Sequence, residues 1–210
     1  MDSPAILAAS LAYEDSLSQV YQLVVGPVDN NVYTIRCKAT GQSLLIDAAN
    51  EHDKLLELCS KLNVCSVLET HGHWDHIQAV PQVREAGINV GITKQDSDML
   101  DSYDFIIEDD SLVPIGDLRL HTIHTPGHTP GSMCFFLESA NILFSGDTLF
   151  PGGPGATKFP GGDFKSIIAS IEDKLFARLR QDTLVLPGHG LSTTIGNEMP
   201  HLNEWVARGW

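Results

Sequence analysis

The sequence predicts a mixed α/β (α+β) domain in which two sheets are covered by helices, and three observations predict it. Short apolar runs of strand length alternate with amphipathic stretches in both halves of the chain, so neither half is all helix or all strand. Four of those runs end in a loop carrying His or Asp, after Leu68, His124, Phe144 and Leu186. Hydrophobic residues make up 42% of the 210 residues and charged residues 19%, enough to bury one medium-sized core.

Residues 1–19 read as an N-terminal tail or short helix, and residues 20–210 as a single domain. The apolar stretch 5–12 is flanked by Asp2, Glu14 and Asp15, and no Lys or Arg precedes Arg36, so the basic region of a secretory leader is missing. Residues 20–25 and 31–39 read as strands joined by a turn at Gly26, Pro27, Asp29 and Asn30. Thr40 and Gly41 turn the chain into a third strand, 43–46, ending at Asp47. A helix follows, because Leu55, Leu58, Cys59 and Leu62 recur at i, i+3, i+4 and i+7. Residues 66–68 form a short strand that runs directly into Thr70-His71-Gly72-His73-Trp74-Asp75-His76. Residues 77–86 read as helix up to Gly87, 89–92 as strand and 95–100 as a short helix.

The second half repeats the style. In 117–124, Leu118 and Leu120 alternate before Thr125-Pro126-Gly127-His128. Strands at 133–137 and 142–144 follow, the latter ending in Ser145-Gly146-Asp147. After a Gly/Pro-rich loop, 151–162, Asp163 is a good N-cap for a helix with the stripe Phe164, Ile167, Ile168, Ile171, Leu175 and Leu179. Residues 183–186 form a strand ending in Pro187-Gly188-His189-Gly190, and 197–207 a last helix. No linker, repeat or low-complexity segment interrupts the chain.

Thirteen basic residues against 27 acidic ones give a net charge of −14, which repels phosphate backbones and anionic membranes. No apolar run is long enough to span a bilayer. The expectation is therefore a cytoplasmic protein with a small-molecule partner, no nucleic acid and no membrane. Cys37, Cys59, Cys65 and Cys134 form no CxxC pair and read as buried thiols rather than a disulfide frame. Trp205 and Trp210 leave two readings open, packing within the domain or a homo-oligomer contact.

Histidine carries the chemistry. His71 and His73 are two apart, so in extended backbone both imidazoles project to one side and reach one ion. Asp75 and His76 follow, and after a turn face a second position nearby. His128, Asp147 and His189 lie in other strand-end loops and can complete the set. Imidazole suits zinc, iron, nickel or copper, and added carboxylates allow two ions to sit close together.

These four motifs, HGHWDH, TPGHTPGS, SGDTLF and LPGHG in this order, resemble the metallo-β-lactamase fold superfamily. They are most similar to its hydroxyacylglutathione hydrolase (glyoxalase II-like) branch, over residues 21–210. The resemblance implies a four-layer αββα sandwich, with His71, His73 and His128 on one metal, Asp75, His76 and His189 on a second, and Asp147 bridging. It implies two divalent ions, zinc ahead of iron or manganese, and hydrolysis of a thioester or small ester by a hydroxide shared between them, with Asp75 and Asp147 as the catalytic carboxylates. The alternatives within the fold are a persulfide dioxygenase with one iron, and a lactonase. True β-lactamases of the family usually carry Cys where Asp147 stands or an altered first motif, which sets them apart. Ser132 stands where many of the hydrolases have His, and TPGHTPGS fits either the hydrolase or the dioxygenase branch. The chain ends about one helix after His189, so the helical module that grips glutathione in longer relatives is reduced or absent, and glutathione does not carry over as substrate. Lys158, Phe150 and Phe159 in the adjoining loop are the candidate substrate contacts, and His121 and His124 read as structural.

Overall fold

Alternation along each strand sends apolar side chains to two faces, and the computed structural model, which describes residues 9–209, reveals what each face meets. The first sheet runs in the order β1 (Ser10–Glu14), β2 (Ser18–Val25), β3 (Asn30–Cys37), β4 (Ser43–Ile46), β5 (Val64–Leu68), β6 (Asn89–Ile92) and β7 (Phe105–Ile106). It starts as an antiparallel meander and becomes parallel from β4 onward. Parallel pairing needs crossovers, which α1 (His52–Leu62) and then α2 (Trp74–Ile77) with α3 (Val80–Glu85) provide. The second sheet holds β8 (Leu112–Ile115), β9 (Leu118–His124), β10 (Met133–Leu137) and β11 (Ile142–Gly146). Beyond a small ribbon, β12 (Leu149–Phe150) and β13 (Gly153–Pro154), it continues with β14 (Leu184–Pro187) and β15 (Thr193–Thr194).

Three apolar layers hold the sandwich together. Between the sheets, Val20, Tyr33, Ile35, Leu44, Ile46 and Leu68 face Leu120, Met133, Phe135, Leu137, Ile142 and Phe144. The intervening residues point outward: Leu45, Val67 and Val90 pack under Leu55, Leu58, Leu62 and Val83 of the first helical layer. On the far side Cys134, Leu143 and Val185 pack under Ile167, Ile171 and Leu175. The architecture is an αββα sandwich, the two helix-covered sheets that the residue pattern predicts and the layering that the resemblance implies.

The helix after Asp163 carries an unusual turn. Asp163 caps α4 (Phe164–Ala169) by accepting from Lys165 and Ser166 N–H, and the chain continues as a π-helical segment, Ser170–Phe176. Its buried residues Ile167, Ile171 and Leu175 recur every four positions, slower than the 3.6-residue α-helical turn. A pure α-helix would rotate this stripe off the sheet; the wider π turn brings it back.

Several expectations are corrected. Ser10–Glu14 is neither tail nor helix but an edge strand paired with β2; residues 1–8 lie outside the described part. Its side chains are mostly exposed, so backbone pairing rather than an apolar face makes the strand. The helix expected over 77–86 is shortened to α3, with Pro81 in its first turn, and Ile77 instead ends the separate short helix α2. The helix expected at 95–100 is one 3-10 turn, Ser97–Met99. The last helix divides into α5 (Ile195–Glu198), a 3-10 turn containing Pro200, and α6 (Leu202–Arg208), because proline lacks the N–H that would continue it. Cys37, Cys59 and Cys134 are buried free thiols, whereas Cys65 is exposed. Trp205 is buried against Phe176 of its own domain, and Trp210 lies outside the described residues.

Candidate metal centre

Strand direction gathers the polar loops at one edge. β4 and β5 run parallel in the first sheet, and β9, β11 and β14 share one direction in the second, so the loops leaving these strands converge. Two backbone bonds stitch the sheets there: Met133 N–H donates to Thr70 O at 2.8 Å, and Asn31 N–H to Gly188 O at 2.7 Å. Glycine is required at two points. A Cβ on Gly127, whose φ is +142°, would collide with the Ile167 backbone, and one on Gly188 would fill the space against Asp147 and come within 2.8 Å of His76 Cε1.

All seven residues singled out from the motifs meet at this edge. Three overlapping groups, His71–His73–His128, His71–His76–Asp147 and Asp75–His76–His189, each have ligand atoms within 4.8 Å of one another. His73 Nδ1 lies 2.8 Å from His128 Nε2, and His76 Nε2 lies 3.3 Å from His189 Nε2. Asp147 reaches both halves, with Oδ1 3.5 Å from His76 Nε2 and Oδ2 3.5 Å from His128 Nε2. His189 Nε2 is 3.3 Å from Asp75 Oδ2.

The outward ring nitrogens have their own partners, which assigns the tautomers. His76 Nδ1 donates to Asp47 Oδ2 at 2.8 Å, His128 Nδ1 to Ala156 O at 2.7 Å, and His189 Nδ1 to Val28 O at 3.0 Å. Thr70 donates its hydroxyl to Asp47 Oδ2 and so accepts from His71 Nδ1, 3.0 Å away. With Nδ1 so engaged, the neutral form of each of these four rings turns its Nε2 lone pair toward the centre. Sequence reading missed Asp47, Asn30 and Asp96. Asn30 Nδ2 donates to Asp75 Oδ2 at 3.0 Å. Buried Asp96 accepts from Gly72 N–H, Gly131 N–H and the Thr129 hydroxyl, tying the first motif loop to the His128 loop; Ser132 completes this tie by accepting from Thr129 N–H. The available signal was that Asp47, like Asp147, ends an apolar strand.

Charge is unevenly shared. Burial, reinforced by the surrounding imidazoles, pushes His71 well below its ordinary value, and burial with His128 lowers His73. Burial also opposes charge on His76, but Asp147, Asp47 and Asp75 outweigh it and raise that ring to about 9. His189 is raised against its burial by the Asp75 hydrogen bond and the Asp147 charge. For Asp75, burial is outweighed by His189, His76 and Asn30, which hold its carboxyl well below the usual range. Burial and the Asp47 charge push Glu69 well above it.

The donor set fits divalent cations. Buried His71 Nε2 and Asp147 Oδ1 have no hydrogen-bond partner among the described residues, in a place where nearly every buried polar atom should have one. Three carboxylates converge on one imidazole, a surplus of negative charge that a cation offsets. Five imidazoles with two carboxylates suit zinc or iron.

A cleft of about 550 Å³ opens over the donors, walled by Val28, Trp74, Met99, Phe159 and Pro160. The Phe159 ring meets His73 edge-on at 5.5 Å. Of the other two expected substrate contacts, Phe150 is half-buried in β12 and Lys158 is exposed with its ammonium 5.6 Å from the Phe159 ring centroid; neither lines the cleft. His124 Nε2 donates to Pro130 O and His121 pairs with Glu138, both away from the centre.

The family model described as the metallo-beta-lactamase superfamily matches residues 25–189. A probable metallo-hydrolase, YqgX, of Bacillus subtilis is 34% identical over 206 residues, covering 87% of this chain and 96% of that protein. The hydroxyacylglutathione hydrolase GloC of Haemophilus influenzae is 32% identical, covering 76% of this chain and 86% of its own length. Among solved structures, the BLEG-1 B3 metallo-beta-lactamase superposes with a TM-score of 0.80 at 30% identity, covering 87% of this chain and 97% of that one. TTHA1623 in a di-iron-bound form superposes with a TM-score of 0.75 at 29% identity, covering 85% and 96%.

Proposed function

The chain belongs to the metallo-β-lactamase superfamily, a family of metallo-hydrolases, and from that premise we propose that it hydrolyses a thioester or small ester, as an acyl-thiol hydrolase. The observation that carries this reading is the chemistry of the cleft: every titratable side chain lining it belongs to the metal donor set. Among the described residues no further acid stands there to protonate a leaving group. A thiolate, whose conjugate acid has a pKa of roughly 8.5, departs without one, whereas an amine does not.

His71, His73 and His128 would hold one ion, Asp75, His76 and His189 a second, with Asp147 between them. Two such ions, zinc in this proposal, supply hydroxide near neutral pH and Lewis acidity toward the scissile carbonyl. The protein's own part is orientation. Asn30 fixes one oxygen of Asp75, and the ionised carboxylate accepts a hydrogen bond from an attacking water and aims it. Asp47 and the Val28 and Ala156 carbonyls hold the imidazoles in the required tautomers. Trp74 and Phe159 shield the donors from bulk water.

The test is turnover of the metal-loaded protein on matched thioesters, oxyesters, a β-lactam and a persulfide. Thioester cleavage well ahead of the β-lactam, abolished by chelator, supports the reading. A faster β-lactam, or oxygen uptake on the persulfide without thioester cleavage, overturns it.

A further inference from the structure

Resting on the hydrolase reading, we propose that the cleft selects acyl groups that are hydrocarbon arms, seated among Trp74, Met99 and Phe159. Polarity in the cleft is segregated. Its polar lining groups are all donors at the base, and among the described residues the walls are Val28, Trp74, Met99, Phe159 and Pro160, without one Lys, Arg, Asn or Ser. Four of these wall residues are large apolar side chains left open: Trp74 is 56% exposed, Phe159 47%, Val28 44% and Met99 38%. They come from four separate segments, the first turn of α2, the loop after β13, the turn between β2 and β3 and the 3-10 turn after β6, and converge over the same donors. An acyl chain threading from the base covers that surface, and each methylene withdrawn from water adds to binding.

The same walls disfavour charge. A carboxylate placed there would lose water with no partner. Lys158 stands over the Phe159 ring and is not part of the lining. A net charge of −14 adds long-range repulsion toward anionic substrates. Specificity should therefore follow acyl length, with polar 2-hydroxyacyl arms and anionic thiols disfavoured.

Two measurements on the metal-loaded protein test this. The first is kcat/KM for acetyl, butanoyl and hexanoyl thioesters of N-acetylcysteamine and of glutathione, beside a 2-hydroxyacyl glutathione thioester. The second is calorimetric binding of the matching S-alkyl thioethers, which cannot be hydrolysed. Both kcat/KM and thioether affinity should rise about two- to fourfold per methylene. Met99→Ala and Phe159→Ala, both outside the motifs, should flatten that slope in the binding series as well as in turnover. A flat or falling series in both measurements, or a 2-hydroxyacyl glutathione thioester as the best substrate, overturns the proposal. Thioether affinity that rises with length while no ester or thioester is cleaved sustains the apolar cleft and removes the hydrolase reading instead.

Discussion

Replacing Asp47 by Asn should loosen both halves of the metal centre although Asp47 touches neither ion position directly. Asp47 Oδ1 accepts from Thr70 N–H at 2.7 Å, while Oδ2 accepts from the Thr70 hydroxyl at 2.9 Å and from His76 Nδ1 at 2.8 Å. With the Asn oxygen kept toward Thr70 N–H, its NH2 faces the other two. His76 must then accept at Nδ1 and carry its proton on Nε2, the atom aimed at Asp147 and His189. The Thr70 hydroxyl must also turn, donating to His71 Nδ1 and moving that ring's proton to Nε2. The opposite amide orientation sets NH2 against Thr70 N–H inside a site that is 1% exposed at Asp47. The opposite orientation loses a buried hydrogen bond, at about 1–3 kcal/mol of folding stability, so the first, with both rings in the wrong tautomer, is the one expected. The two displaced lone pairs belong to different ligand groups, so affinity should fall about 10- to 100-fold at each. Competitive chelator titration measures the affinities, and nitrogen-15 NMR of the imidazoles reads the tautomers. Wild-type affinity at both positions with unchanged tautomers would refute the reasoning.

Asp147→Ala and His73→Ala should each abolish turnover while the far-ultraviolet circular dichroism spectrum is retained; full activity in either overturns the ligand assignment. In the metal-free protein, His71 and His73 lie below their ordinary 6.5, so the unfolded chain binds more protons and stability should fall as pH drops below about 6.5. His76, raised to about 9, works the other way: its contribution is complete below about 6.5 and is lost as pH rises through about 9. Thermal melts of the metal-free protein from about pH 5 to about pH 10 should therefore pass through a maximum, and a monotonic rise to the alkaline end contradicts this. Gly127→Ala should lower the melting temperature and weaken binding at the His128 position, because its Cβ meets the Ile167 backbone; unchanged metal affinity would count against it. Lys158→Ala should change kcat/KM for uncharged thioesters less than about twofold, since Lys158 stands outside the cleft lining; a larger loss would place it among the substrate contacts.

Much of this arrangement was legible in the residues. The His71-Gly72-His73 spacing, the strand-end positions of Asp147 and His189, and the strand at 43–46 are all read from the local sequence. The ligands' supports were not, because they depend on chain pairing. Asn30 sits in a turn-like Asp-Asn-Asn sequence, and only the bridge between Asn30 and His189 brings it to Asp75. Asp96 looks like one acidic residue among 27 until Gly72, Thr129 and Gly131 converge on it. Strand β1 escaped because an edge strand held by backbone bonds leaves no burial pattern. Proline punctuation at Pro81 and Pro200 was present in the sequence and outranks the helical periodicity around it.

The most direct test of the central claim is elemental analysis of anaerobically purified protein, paired with thioesterase activity before and after chelation. A two-metal hydrolase predicts about two ions per chain, activity lost to chelator and restored by zinc. About one iron per chain, oxygen uptake on a persulfide and no thioester cleavage would contradict it.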